Sequence, residues 1–197
     1  MMSVAHLFTL LRILIIPLFP IFYLYYNSLG ISFFWVPIIL IVLLSICEFS
    51  DLFDGFLARK KNQVTDLGKV FDPMADSITR ITVFFTFTQG VIALPILLVL
   101  VFLYREFVIN TFRTLCALRG YALAARMSGK IKAILQAIAA FLILGLMILF
   151  NLRLISLMAL RVSSLVIVSI VAAYAILSMI DYFASNWQFV KKAVKKI

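Results

Sequence analysis

Apolar positions in this chain run continuously instead of alternating with polar ones. Uncharged stretches fill residues 13–47, 81–104, 133–152 and 162–180. A bilayer-crossing helix needs roughly 20 apolar residues. The runs are continuous, so they predict helices and not the strands of a membrane barrel. The first run is long enough for two crossings, separated by the turn-like cluster Asn27-Ser28-Leu29-Gly30. The pattern predicts six spans, at about 7–27, 32–57, 69–89, 92–116, 131–151 and 160–183. No linker, low-complexity stretch or internal repeat divides the chain, so residues 1–197 are expected to form one domain.

Composition agrees with this reading. Hydrophobic residues make up 65% of the chain and charged residues 13%, and the mean hydropathy is +1.16. The N-terminal stretch lacks a small-residue cleavage site, so it reads as a span and not as a removable signal. Cys47 and Cys116 fall in or near spans and read as small buried hydrophobes.

The net charge of +10 has a direction. Twelve basic residues (Arg59, Lys60, Lys61, Lys69, Arg119, Arg126, Lys130, Lys132, Lys191, Lys192, Lys195 and Lys196) fall on the side of the membrane that holds both termini. Only Arg153 and Arg161 fall on the other side. The positive-inside rule then makes both termini cytoplasmic. A basic excess of this kind answers anionic lipid, not nucleic acid.

One stretch breaks the apolar pattern. DLFDGFLARKKNQVTDLGKVFDPMAD, residues 51–76, holds five of the chain's eight acids. Asp51 and Asp54 are three apart near the end of the second predicted helix, and Asp72 and Asp76 are four apart at the start of the third. Both spacings place the two carboxylates on one helical face. Gly55 and Ala58 keep the first face small, so a ligand or a neighbouring backbone can come close. Carboxylates converging at a membrane boundary must protonate or recruit cations. An all-oxygen cluster suits Mg²⁺, Mn²⁺ or Ca²⁺ and not zinc. Four carboxylates suffice for two divalent ions, an arrangement that clamps a phosphoryl group during displacement. Arg59 and Lys69 stand nearby to hold phosphate oxygens. The chemistry expected is transfer at a phosphate on a lipid substrate. A cation or proton pathway is the competing reading, but it expects acids spread through the membrane depth.

The spacing Asp51-x2-Asp54-Gly55-x2-Ala58-Arg59-x8-Gly68-x3-Asp72-x3-Asp76 resembles the signature of the CDP-alcohol phosphatidyltransferases at all eight fixed positions. The segments AHLFTLLRILIIPLF (5–19), REFVINTFR (105–113) and GKIKAILQ (129–136) resemble the branch of that family whose acceptor is sn-glycerol 3-phosphate. His6 and Ala133 depart from that branch's usual residues. The resemblance implies an all-α integral membrane bundle of six transmembrane helices, working as a homodimer in a bacterial inner membrane with its site facing the cytoplasm. It implies transfer of the phosphatidyl group from CDP-diacylglycerol to sn-glycerol 3-phosphate, with release of CMP. By the family pattern Asp51, Asp54, Asp72 and Asp76 hold two divalent ions, Mg²⁺ or Mn²⁺, and Asp76 doubles as the base. Thr9, Gly55, Ala58, Arg59 and Thr65 contact the CDP moiety.

The signature fixes the donor class and leaves the acceptor open. Arg105 and Arg113 lie eight apart on one face of the fourth predicted helix, and Lys130 and Lys132 begin the fifth. Basic groups at span depth need partners. Glu106 can serve one of them and an acceptor phosphate the others, which favours glycerol 3-phosphate over an uncharged alcohol. The alternative is an enzyme of the same family with another acceptor, such as phosphatidylglycerol, inositol phosphate or serine. Of the remaining charges, Asp66 is expected to cap the third helix and Asp181 to close the sixth, Arg80 reads as structural or as support for an aspartate, and Glu48 has no assigned part.

Overall fold

The computed structural model describes the backbone of residues 4–60, 66–118 and 126–194, and the side chains of 9–50, 73–116, 118, 126–189 and 191. All regular structure among the described residues is helical. The elements are α1 (Val4–Ile15), α2 (Leu18–Leu24), α3 (Val36–Lys60), α4 (Asp66–Thr86), α5 (Ile96–Leu118), α6 (Met127–Asn151) and α7 (Leu157–Val194). By length and composition, Met127–Asn151 and Leu157–Phe189 are long and apolar enough to cross a membrane.

Two expectations change. The span predicted at 7–27 is two helices, broken around Ile16 and Pro17. The Ile16 amide still reaches the Arg12 carbonyl at 3.0 Å. Pro17 has no amide to continue the series, and its ring disfavours helical geometry in the residue before it. The last helix does not close at Asp181. α7 runs 38 residues to Val194, and Asp181 is an interior position whose carboxylate meets Arg126 Nε at 3.1 Å.

The helices group into two compact units, residues 1–94 with 140–164, and residues 95–139 with 165–197. In the first unit α1 and α2 pack against α3 and α4. Its core holds Phe19, Tyr23, Val36, Leu40, Leu44, Val83, Phe84 and Phe87, all at most 3% exposed. Phe19, Tyr23 and Phe84 each meet Phe87 edge to face, with ring centroids 5.8, 6.0 and 6.3 Å apart. These ring edges give directional packing in surroundings where lipid would be as apolar as the core itself.

The turn after α4 is tied to α2. Tyr23 donates its hydroxyl proton to the Gln89 carbonyl at 3.1 Å and accepts from the Ile92 amide at 3.2 Å. Between these contacts Gly90 has φ +66°, and a Cβ there would lie 2.9 Å from the Tyr23 ring. Nearby turns are held in the same manner. Asn151 Nδ2 donates to the Phe33 carbonyl at 3.2 Å, and Arg161 Nε donates to the Val91 carbonyl at 3.0 Å.

In the second unit Phe112 meets Phe183 edge to face at 4.9 Å. Around these cores the outward faces are apolar. Leu14, Leu97, Met158 and Ile170 are each more than 60% exposed. An outer surface of this kind suits lipid and not water. Cys47 and Cys116 are buried free thiols, as expected.

Candidate active site

The signature falls where two helices of the first unit approach each other. Asp51, Asp54, Gly55, Ala58 and Arg59 belong to the last three turns of α3, and Gly68, Asp72 and Asp76 to the first three of α4. The two helices pack together. The spacings of three and four are therefore helical spacings in fact. Thr65 lies outside the described residues, as do the side chains of Asp51, Asp54, Arg59 and Asp72. Asp66 opens α4, its side chain also outside them. Of the four aspartates, Asp76 is the one whose surroundings are described.

Asp76 lies in a small cleft lined by Arg12, Cys47, Glu48, Thr79 and Arg80. Arg12 Nη1 donates to Asp76 Oδ1 in an ion pair. Arg12 is the sole Lys, Arg, Asp or Glu among residues 1–47. Its side chain is 3% exposed, against 32% for Asp76. Thr9, one turn earlier on α1, is buried as well. Arg80 sits one turn after Asp76 on α4 and pairs with Glu48 of α3 at 3.8 Å. That gives Glu48 a partner and sets a second ion pair in the same cleft. Thr79 is 4% exposed, and its hydroxyl has no hydrogen-bond partner among the described residues. Ser77 and Thr86 on the same helix behave differently: their hydroxyls donate to carbonyls four residues back, at 2.9 and 2.7 Å.

Carboxylates presented at i, i+3 and i, i+4 supply hard oxygen donors and fit a hard divalent cation. Asp76 would hold such an ion together with Asp51, Asp54 and Asp72.

The second unit carries a separate polar cluster. Glu106 is 8% exposed and takes two cations, not the one expected. Arg105 Nη1 reaches its two oxygens at 3.3 and 3.4 Å, and Lys132 Nζ pairs with Oε1. Arg105 Nε also donates to Ser178 Oγ at 3.3 Å. Gly129 leaves room for this guanidinium: a Cβ there would stand 3.4 Å from Arg105 Nη2. Two cations on one carboxylate give the triad a net positive charge.

Arg113 lies two turns beyond Arg105, beside the Tyr182 hydroxyl. Arg113 Nε and the Tyr182 oxygen are both buried, with no hydrogen bond of good geometry among the described residues. Lys130 is exposed. The structure thus gathers Arg105 and Lys132 on one carboxylate, keeps Arg113 half-buried nearby on the same helix, and turns Lys130 outward.

Sequence reasoning missed the pairing of Arg12 with Asp76 and the parts played by Thr79 and Ser178. A signal for the first was present, because a lone charge in a span-length apolar run must find a partner. For the two hydroxyl residues there was none, since Ser and Thr are common in apolar helices.

Comparison with known proteins places the chain. The model of the CDP-alcohol phosphatidyltransferase family matches residues 2–173, and the chain belongs to that family. It is 31% identical to the CDP-diacylglycerol–glycerol-3-phosphate 3-phosphatidyltransferase of Bacillus subtilis (strain 168), over 97% of this chain and 98% of the relative. Proteins of the same name from Rickettsia typhi and Wigglesworthia glossinidia brevipalpis are 35% and 33% identical, over 74% and 91% of this chain and 78% and 92% of theirs.

Proposed function

We propose that the chain transfers the phosphatidyl group of CDP-diacylglycerol to sn-glycerol 3-phosphate, giving phosphatidylglycerophosphate and CMP. The observation that carries this reading is that the aspartate signature falls on α3 and α4, two helices that pack together, with Asp76 anchored in a polar cleft. The shared name of the relatives supports the acceptor.

In this reading a primary hydroxyl of the acceptor attacks the phosphorus that carries the diacylglycerol. A new O–P bond forms, the P–O bond to CMP breaks, and the hydroxyl proton passes to Asp76. The ion pair with Arg12 requires Asp76 as a carboxylate, which is the charge state a base needs. Asp51, Asp54, Asp72 and Asp76 would hold two divalent cations, which when bound neutralise the diphosphate and ease the departure of CMP. Thr9, Gly55, Ala58, Arg59 and Thr65 orient the CDP moiety. Most of the rate gain comes from positioning and from charge already in place.

Arg105, Arg113, Lys130 and Lys132 are assigned to the acceptor phosphate. The net positive charge of the Glu106 triad and the buried Arg113 Nε support this assignment. Charge-assisted bonds to a phosphate are about twice as strong as neutral ones. The protein is read as one domain of six spans with both termini cytoplasmic, in a bacterial inner membrane, acting as a homodimer.

The test is CMP release by purified protein in detergent, with CDP-diacylglycerol and Mg²⁺. Glycerol 3-phosphate, inositol phosphate, serine and phosphatidylglycerol are supplied separately, each with and without EDTA. Release with glycerol 3-phosphate alone, abolished by EDTA, is the expected result. Release with another acceptor retains the donor chemistry and removes the acceptor assignment. Release that survives EDTA removes the metals.

A further inference from the structure

Arg12 is an unusual partner for a group with the work proposed for Asp76. Its guanidinium, in the last turn of α1, is almost wholly enclosed, so it needs a fixed counter-charge. Asp76, a third exposed, is the more open member of the pair. Among the described residues the rest of the cleft adds one cation, Arg80, and one anion, Glu48, themselves paired. The four side chains therefore sum to zero. A divalent cation arriving at Asp76 enters a cleft whose carboxylate already faces a positive charge, and like charges a few ångströms apart repel strongly away from water.

Resting on the metal reading above, we propose that Arg12 is the resident counter-ion of Asp76 and sets how tightly that carboxylate takes a divalent cation. Before metal arrives, the guanidinium neutralises Asp76 and keeps the aspartate-rich helix ends from repelling one another. When metal arrives, Arg12 yields that oxygen. Thr79 supplies the place for it to go. Its buried hydroxyl lines the same cleft, lacks a hydrogen-bond partner among the described residues, and can accept from a guanidinium. Arg12 is thus a positioning residue: it trades metal affinity for a folded, neutral site in the absence of metal.

Mn²⁺ binding to the full chain in detergent, followed by electron paramagnetic resonance without substrates, tests this. Arg12→Gln should bind Mn²⁺ at least tenfold tighter than wild type, and the gain should vanish when Asp76→Asn is added. Thr79→Val, close in size to the native side chain and so the safer variant for folding, should bind Mn²⁺ at least threefold more weakly. In EDTA, Arg12→Gln should melt below wild type, and Mn²⁺ should raise its melting point by more, because tighter ligands stabilise more at equal concentration.

Unchanged or weaker Mn²⁺ binding by Arg12→Gln overturns the proposal, as does a gain that persists with Asp76→Asn. If Arg12→Gln does not fold, unchanged Mn²⁺ affinity in Thr79→Val overturns it. If Asp76→Asn alone binds Mn²⁺ like wild type, the metal reading of Asp76 fails and the proposal falls with it. A deficit in Asp76→Asn without a gain in Arg12→Gln defeats the counter-ion alone.

Discussion

Two residues separate the chemical step from acceptor recognition. In the proposed reading Asp76 takes a proton and Arg113 holds a phosphate. Asp76→Asn keeps the shape of the side chain and removes its basicity. It should retain binding of CDP-diacylglycerol and lose about 10²–10⁴-fold in turnover, read as donor binding against CMP release. Wild-type turnover would end the assignment of the base. Arg113→Ala removes a partly buried guanidinium. It should raise the KM for glycerol 3-phosphate about tenfold or more, the range of one charge-assisted hydrogen bond, and leave the KM for the donor much less changed. The reverse pattern would move the phosphate elsewhere. At this scale the sequence was most informative where charge is rare. The aspartates of 51–76 and the cations of 105–132 stand out against apolar surroundings because any charge at span depth must be useful or paired. The pairing itself was not legible. Arg12 and Asp76 are 64 positions apart, and Glu106 and Lys132 are 26 apart. Only the packing of helices brings such partners together.

At the scale of elements, hydropathy located the helices well and their ends poorly. The break at Pro17 is a backbone effect invisible to a count of apolar residues. The run of α7 to Val194 was missed for the opposite reason, since polar residues in its last turns stop a hydropathy run without stopping a helix. At about 57 Å, from 38 residues rising 1.5 Å each, α7 is longer than a hydrocarbon core of roughly 30 Å requires. The turn at Gly90 offers a sharper test of element packing. Gly90→Ala combines positive φ with a clash against the buried Tyr23 ring, whereas Gly30→Ala has a similar φ of +69° and nothing within 4 Å. Overpacking costs about 1–3 kcal/mol and an unfavourable φ about 1 kcal/mol. In a chain of this size each kcal/mol lowers Tm by roughly 2–4 °C. Gly90→Ala should therefore melt about 4–16 °C below wild type, and Gly30→Ala, with the backbone cost alone, about 2–4 °C below. Equal losses in the two variants would mean that the Tyr23 clamp adds nothing beyond the backbone term.

For the molecule as a whole, the question is which way it faces. Twelve basic residues against two is a strong asymmetry over short connections, and such bias sets orientation during insertion. The two exceptions lie by turns, Arg153 within one at φ +59° and Arg161 with its Nε on the Val91 carbonyl, so neither presents a free basic cluster. At the other end α7 carries Trp187 and Lys191, the ammonium 5.3 Å from the ring centroid, a combination suited to a membrane interface. The proposed chemistry adds its own requirement. The aspartates share the basic side with Arg59 and Lys69, and a nucleotide-bearing lipid donor with a charged, soluble acceptor must be reached from the cytoplasm. A fluorescent protein fused after Ile197 should therefore fold and fluoresce, and alkaline phosphatase fused there should be inactive. Alkaline phosphatase inserted between Arg153 and Ser156 should be active. The opposite result at either position would invert the orientation and place the aspartates on the face away from their substrates.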